Sequence, residues 1–171
     1  MHRQALLRDI PSIRDLERRA GEPFRALGLD AVADDEPPTV EDLRGPVEDG
    51  EIRVIDEGRP DGRLSAWLWL MPLDDGLHIE QVSVDPEHRG RRLGTQLVRW
   101  ALDRAGELGL PEVTLTTFAD VPWNGPLYRR LGFRVLGEQE MKPGLRTIRE
   151  VERALGLDVV PRVAMIAPSR T

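Results

Sequence analysis

The sequence contains no cysteine, which excludes disulfides, thiolate metal sites and a cysteine nucleophile. It has one tyrosine, Tyr128, and one lysine, Lys142, so any role that needs a phenol falls on Tyr128. Arginine supplies nearly all the positive charge, a compositional bias that implies no chemistry by itself. Long apolar runs are also missing. The longest nearly apolar stretch, Leu64–Leu73, includes Ser65 and Pro72 and is far shorter than the ~20 residues of a membrane helix. The opening MHRQALLRDI has no apolar h-region, so a cytoplasmic protein with no membrane partner is expected. The chain has 171 residues, 40% hydrophobic and 32% charged. That suffices for one folded domain over residues 1–171, which buries roughly 70% of its unfolded surface without a metal or disulfide.

A net charge of -6 argues against nucleic acid as a partner, because affinity for it comes mostly from neutralising phosphates. The charge is uneven. Residues 1–50 hold twelve Asp/Glu against seven Arg, whereas residues 86–104 hold five Arg (89, 91, 92, 99 and 104) against Glu87 and Asp103. One basic cluster in an acidic chain suits a small polyanion. His2, His78 and His88 lack the spacing of a metal site, and none is expected; His2 and His88 read as surface residues.

The order of elements predicts a mixed α/β sheet of about seven strands with helices on both faces. Residues 3–8 form a short strand, and Asp9, Pro11, Ile13, Leu16 and Ala20 then outline a helix. The polar stretch Asp30–Pro38 reads as a loop, and a second short helix comes next, from Val40 to about Asp49. Strands are expected at Ile52–Asp56, Arg63–Met71 and Leu77–Val84, separated by turn residues. Leu93, Leu97, Val98, Ala101, Leu102, Ala105 and Leu108 recur at helical spacing, which predicts a helix over Gly90–Leu108. A fifth strand, Val113–Phe118, should run parallel to the fourth because a helix crosses over between them. A short helix (Trp123–Leu131), a strand (Phe133–Gly137), a helix over 143–156 with an apolar stripe of Leu145, Ile148, Val151 and Leu155, and a strand at Arg162–Ile166 complete the order.

The segment from Val82 to Thr95 carries the clearest chemistry. A strand feeds a Gly- and Arg-rich turn that opens a helix, where unpaired backbone N–H groups and the helix dipole favour a phosphate. Gly90 and Gly94 permit close approach, Arg89, Arg91 and Arg92 add charge, and Thr95 offers a hydroxyl. A second segment reads Trp123-Asn124-Gly125-Pro126-Leu127-Tyr128-Arg129-Arg130-Leu131-Gly132-Phe133. With the two in this order and about thirty residues apart, the chain resembles the GNAT superfamily of acyl-CoA-dependent N-acetyltransferases over roughly residues 3 to 166.

That resemblance implies the GNAT fold, with strands 4 and 5 splayed, and acetyl-CoA as cosubstrate. The family's turn pattern, Gln/Arg-x-x-Gly-x-Gly/Ala, holds the CoA pyrophosphate on backbone amides; here it reads Arg89-Gly90-Arg91-Arg92-Leu93-Gly94. Arg92 stands in place of a motif glycine, where an αR residue would still present its N–H. By the same resemblance the pantetheine pairs with backbone near Val82 and Val84, Asn124 contacts the pantetheine or phosphate arm, and Tyr128 protonates the departing thiolate. His78 and Glu80 alternate onto one face of the fourth strand, at positions where some relatives carry the base. Glu80 acting through water is the first candidate and His78 the second, the alternative being a purely structural pair.

The implied activity is transfer of an acetyl group to a primary amine by direct attack in a ternary complex. A non-catalytic acyl-CoA sensor and an acyltransferase with a longer chain are the alternatives, and the bulk of Trp67, Trp69 or Trp123 near the thioester is the feature that would tell the latter apart. Amino acids, polyamines, aminoglycosides, peptide N-termini and protein lysines all stay open as acceptors. Asp34, Asp35 and Glu36 could attract a cationic amine. The helix over 143–156 either closes the site or forms a homodimer contact.

Overall fold

In the computed structural model, which describes residues 1–170, the chain keeps the expected order with a few displaced boundaries. The strands are β1 (His2–Gln4), β2 (Ile52–Ile55), β3 (Ala66–Leu73), β4 (Gly76–Val84), β5 (Glu112–Phe118), β6 (Arg134–Leu136) and β7 (Arg162–Pro168). They form one mixed sheet in the order β1-β2-β3-β4-β5-β7-β6. The β4–β5 pair is parallel, with Leu77, His78 and Ile79 opposite Val113, Thr114 and Leu115, while β5–β7 and β6–β7 are antiparallel. The helices are α1 (Ile10–Arg25), α2 (Asp30–Ala33), α3 (Val40–Glu48), α4 (Leu93–Glu107), α5 (Gly125–Arg130) and α6 (Pro143–Ala154). Among the described residues no helix is long and apolar enough to cross a membrane.

The chain divides into two compact units, one of Met1–Trp69 with Gln81–Val98, the other of Leu70–Glu80 with the stretch from Arg99 on. In the first, Ile13 and Leu16 of α1 and Leu43 and Val47 of α3 join Ile52, Val54 and Trp67 in a buried cluster, each such side chain contributing about 1.5–3 kcal/mol of burial. Thr39 starts α3 by accepting from the Asp42 N–H at 3.1 Å while the Asp42 carboxylate accepts from Thr39 N at 2.9 Å, a reciprocal cap that satisfies two orphan donors. In the second unit Leu136, Met141, Leu145 and Ala164 form the apolar cluster, with Leu73 and Ile166 packed on it.

Five expectations need correction. The first strand does not run over residues 3–8 but ends at Gln4, and Leu7–Asp9 form a 3-10 turn ahead of α1. The stretch Asp30–Pro38 is not all loop, because Asp30–Ala33 closes one helical turn in which Asp34 N donates to Asp30 O at 2.8 Å. The third strand begins at Ala66 rather than Arg63 and runs on through Pro72. The long helix begins at Leu93 rather than Gly90, since Gly90 and Arg92 have φ of 81° and 59°, left-handed values that no α-helix contains. In α6 the buried residues are Leu145, Arg149 and Glu152, whereas Val151 and Leu155 are 51% and 70% exposed. The helix turns a charged pair inward because that pair finds partners there.

Candidate functional site

In the first unit, β4 ends at Val84, and Asp85 anchors the turn beyond it. The buried Asp85 carboxylate accepts from Glu87 N at 3.0 Å and from Arg19 Nε at 3.0 Å. Burial alone would raise this carboxyl, but the Glu87 N–H and the Arg19 guanidinium hold it below the usual carboxylate range. A short 3-10 turn, Pro86–His88, then leads through Gly90 and Arg92 into α4. The first intrahelical bond runs from Gln96 N to Arg92 O at 3.0 Å. The N–H groups of Leu93, Gly94 and Thr95 therefore lie in the turn to which a helix offers no acceptor. Gly94 packs close to β4, for a Cβ there would meet the Val84 side chain at 3.3 Å.

Arg92 thus does not hold the αR conformation expected of it. It takes the left-handed geometry a glycine would take, at a cost of roughly 1–2 kcal/mol. Arg91 is committed elsewhere, with Nη1 2.7 Å from Glu57 Oε2. His88 is not a surface residue either: its side chain is 11% exposed and its Nε2 lies 3.3 Å from the same Glu57 oxygen. Half-buried His2 also departs from that expectation, and burial lowers its pKa, with Arg53 adding to the effect. Trp67 and Trp69 are anchored by their indole N–H groups to Glu17 at 2.8 Å and Glu51 at 3.0 Å. Gln81 Nε2 also donates to Glu17, at 2.7 Å. In the acidic run, Asp34 pairs with Arg25 at 2.6 Å and Glu36 lies 3.8 Å from Arg18, which cancels much of its field.

In the second unit, alternation along β4 brings His78 and Glu80 together, Nε2 to Oε2 3.7 Å. The His78 ring is buried, its Nδ1 is 2.9 Å from Thr114 Oγ1, and burial pushes its pKa down to about 4. The imidazole is neutral at physiological pH. Glu80 is raised by burial first and by the Glu152 carboxylate second, with Arg162 opposing; 40% of its side chain stays exposed, so solvent tempers the rise. The pair is a weakly basic, neutral ring beside a carboxyl of increased proton affinity.

Helix α5 opens at Gly125, where a Cβ would lie 2.2 Å from the Ala119 carbonyl oxygen; only glycine allows that approach. Asn124 precedes it, and its Oδ1 is buried with no hydrogen-bond partner among the described residues. Such an orphaned acceptor is open to a donor from a water or a ligand. Tyr128 is 5% exposed, packs edge-on to Phe133 at 5.9 Å between ring centroids, and burial raises its pKa, with Arg162 opposing. Its phenol keeps its proton at neutral pH.

Sequence reasoning missed the residues that surround this cluster. Thr116 donates to Glu152 Oε1 at 2.5 Å, and Arg162 Nη2 donates back to Thr116 at 3.2 Å. Arg149 binds Glu152 at 2.8 Å and Asp158 at 2.9 Å. Arg162 also stacks over Phe118, 5.0 Å from the ring centroid. The one available signal was the pair Arg149/Glu152 at helical spacing on one face of α6.

A family model described as the acetyltransferase (GNAT) family matches residues 12–133. A relative from Bacillus subtilis (strain 168), S-(2-succino)cysteine N-acetyltransferase, is 30% identical over 158 residues, covering 86% of this chain and 92% of the relative. Among solved structures, PaiA N-acetyltransferase from Thermoplasma acidophilum, in complex with coenzyme A, superposes with a TM-score of 0.69 at 13% identity, covering 98% of each chain. N-acetylglutamate synthase from Neisseria gonorrhoeae, complexed with coenzyme A and N-acetyl-glutamate, gives 0.72 at 21% identity over 100% of this chain and 35% of the other. At such identities the two structures establish the fold.

Proposed function

The chain belongs to the acetyltransferase (GNAT) family, and from that premise we propose that it moves an acetyl group from acetyl-CoA to a primary amine. The transfer is a direct attack in a ternary complex, carried out by one domain over residues 1–171. The observation that carries this reading is the buried, unpartnered Oδ1 of Asn124, four residues before the protonated, buried Tyr128. An amide N–H of the pantetheine arm is the donor that oxygen lacks.

Each residue then has a task that its chemistry suits. The N–H groups of Leu93, Gly94 and Thr95, with the geometry of Gly90 and Arg92, cradle the diphosphate, and Arg89 flanks it. Backbone near Val82 and Val84 pairs with the pantetheine, and an amide there polarises the acyl carbonyl. Glu80, through a water, takes the proton that an alkylammonium must lose before its nitrogen can attack. His78 lies beside it as a neutral partner. The nitrogen bonds to the carbonyl carbon, the carbon–sulfur bond breaks, and Tyr128 gives its proton to the departing thiolate. Alignment of amine and thioester supplies most of the acceleration.

The acceptor is a small-molecule or peptide amine. The name of the Bacillus subtilis relative makes S-(2-succino)cysteine, an amino-acid amine, the first to try. The test is release of free thiol from acetyl-CoA across an amine panel, with wild type and Glu80→Gln side by side. Amine-dependent turnover in wild type, lowered by on the order of 10²-fold in Glu80→Gln, is expected. Thermal stabilisation by acetyl-CoA with no turnover on any amine would instead favour a sensor.

A further inference from the structure

Near His78 and Glu80 in the second unit runs a line of four alternating charges. Asp158 pairs with Arg149, Arg149 with Glu152, and Glu152 with Arg162. Arg149 and Glu152 are 3% and 7% exposed, so the middle of the line is desolvated, and the four charges sum to zero. Its last links rest on β5 through Thr116, which donates to Glu152 and accepts from Arg162.

Register shows what the line faces. His78 is opposite Thr114 across the parallel pair, and alternation along both strands puts Glu80 on the face of His78 and Thr116 on the face of Thr114. His78 from β4 and Thr116 from β5 thus share the face of Glu80, and the charges that act on Glu80 are Glu152 from α6 and Arg162 from β7, with Arg149 behind Glu152. Arg162 is the cation among these groups, and an unclaimed guanidinium next to a carboxylate forms a paired, poorly basic group.

We propose that Glu152 is a positioning residue, whose grip on Arg162 and Thr116 withholds the Arg162 guanidinium from Glu80 and so leaves Glu80 able to accept the proton of an incoming amine. The inference rests on Glu80 being the base, as proposed above. It assigns α6 a part in acid–base chemistry, delivered by the two charged residues it turns inward. The arrangement also explains why α6 buries Arg149 and Glu152 and leaves Val151 and Leu155 in solvent.

The experiment tracks the Glu80 carboxyl by carbon-13 NMR in protein labelled at glutamate, its signal assigned by loss in Glu80→Gln. In Glu152→Gln the titration midpoint of Glu80 should fall by about one pH unit, the effect of an opposite charge released nearby. Glu152→Asp should keep most of the wild-type midpoint, and the double variant Glu152→Gln/Arg162→Gln should return it close to wild type, since charge is removed in balance. An unmoved midpoint in folded Glu152→Gln overturns the proposal, as does a double variant displaced downward from the wild-type midpoint; where Glu152→Gln does not fold, Glu152→Asp and the double variant decide. Turnover separates this from the base assignment. If Glu80→Gln turns over like wild type, the base assignment falls; if it is crippled while Glu152→Gln leaves the midpoint in place, the assignment stands and the role of Glu152 falls.

Discussion

Nδ1 of His78 lies 2.9 Å from Oγ1 of Thr114 on the neighbouring parallel strand, and the ring that makes this contact is 1% exposed. Burial lowers its pKa to about 4 from an unfolded value of 6.5. The unfolded chain therefore binds more protons than the folded one between those values, and stability contributed by the neutral ring is lost as pH falls through that window. Between pH 7 and 5 wild type should lose on the order of 2 kcal/mol more than His78→Gln. Denaturant melts of both proteins at the two pH values measure this; parallel losses would show that the ring titrates alike in the folded and unfolded chain.

Tyr128→Phe removes one oxygen from a buried ring that keeps its edge contact with Phe133. Its turnover should fall by on the order of 10²-fold or more, with the CoA dissociation constant nearly unchanged. Steady-state thiol release together with CoA titration checks the split. Undiminished turnover would remove the phenol from the mechanism.

Arg149 is 3% exposed and bonded to both Glu152 and Asp158. Arg149→Met leaves a buried carboxylate short of a partner, and a loss of about 3 kcal/mol is expected. Chemical denaturation reads it directly. A loss below ~1 kcal/mol would place this pair with ordinary surface bridges.

Arg92 holds φ at 59°, a geometry glycine adopts without strain. Arg92→Gly should gain roughly 0.5 kcal/mol, the strain relieved less the extra chain entropy of glycine. The same change removes a guanidinium from the proposed phosphate turn, so CoA affinity should fall while the melting temperature holds or rises. Movement of both in the same direction would contradict this division.

Much of the fold could be read in advance because its signals were local. The apolar spacing from Leu97 to Ala105 found the body of α4, and turn residues found the ends of β4. The start of α4 escaped because nothing in the identity of Arg92 announces a left-handed backbone. The inward face of α6 is not legible, because an apolar stripe is the default for a buried face, whereas here Arg149 and Glu152 are buried on partners, Asp158 and Arg162, that only the folded chain assembles. Of the candidate site, His78 and Glu80 were legible as a pair from strand alternation. Thr114 and Thr116 were not, since threonine is an ordinary residue in a strand and only the register shows what each one touches.

The most direct measurement of the central claim is calorimetric titration of coenzyme A into the folded protein. A saturable one-to-one heat, weakened tenfold or more in Gly94→Asp, where a carboxylate would meet the diphosphate, is the predicted result. A flat trace for wild type at millimolar coenzyme A would contradict the account.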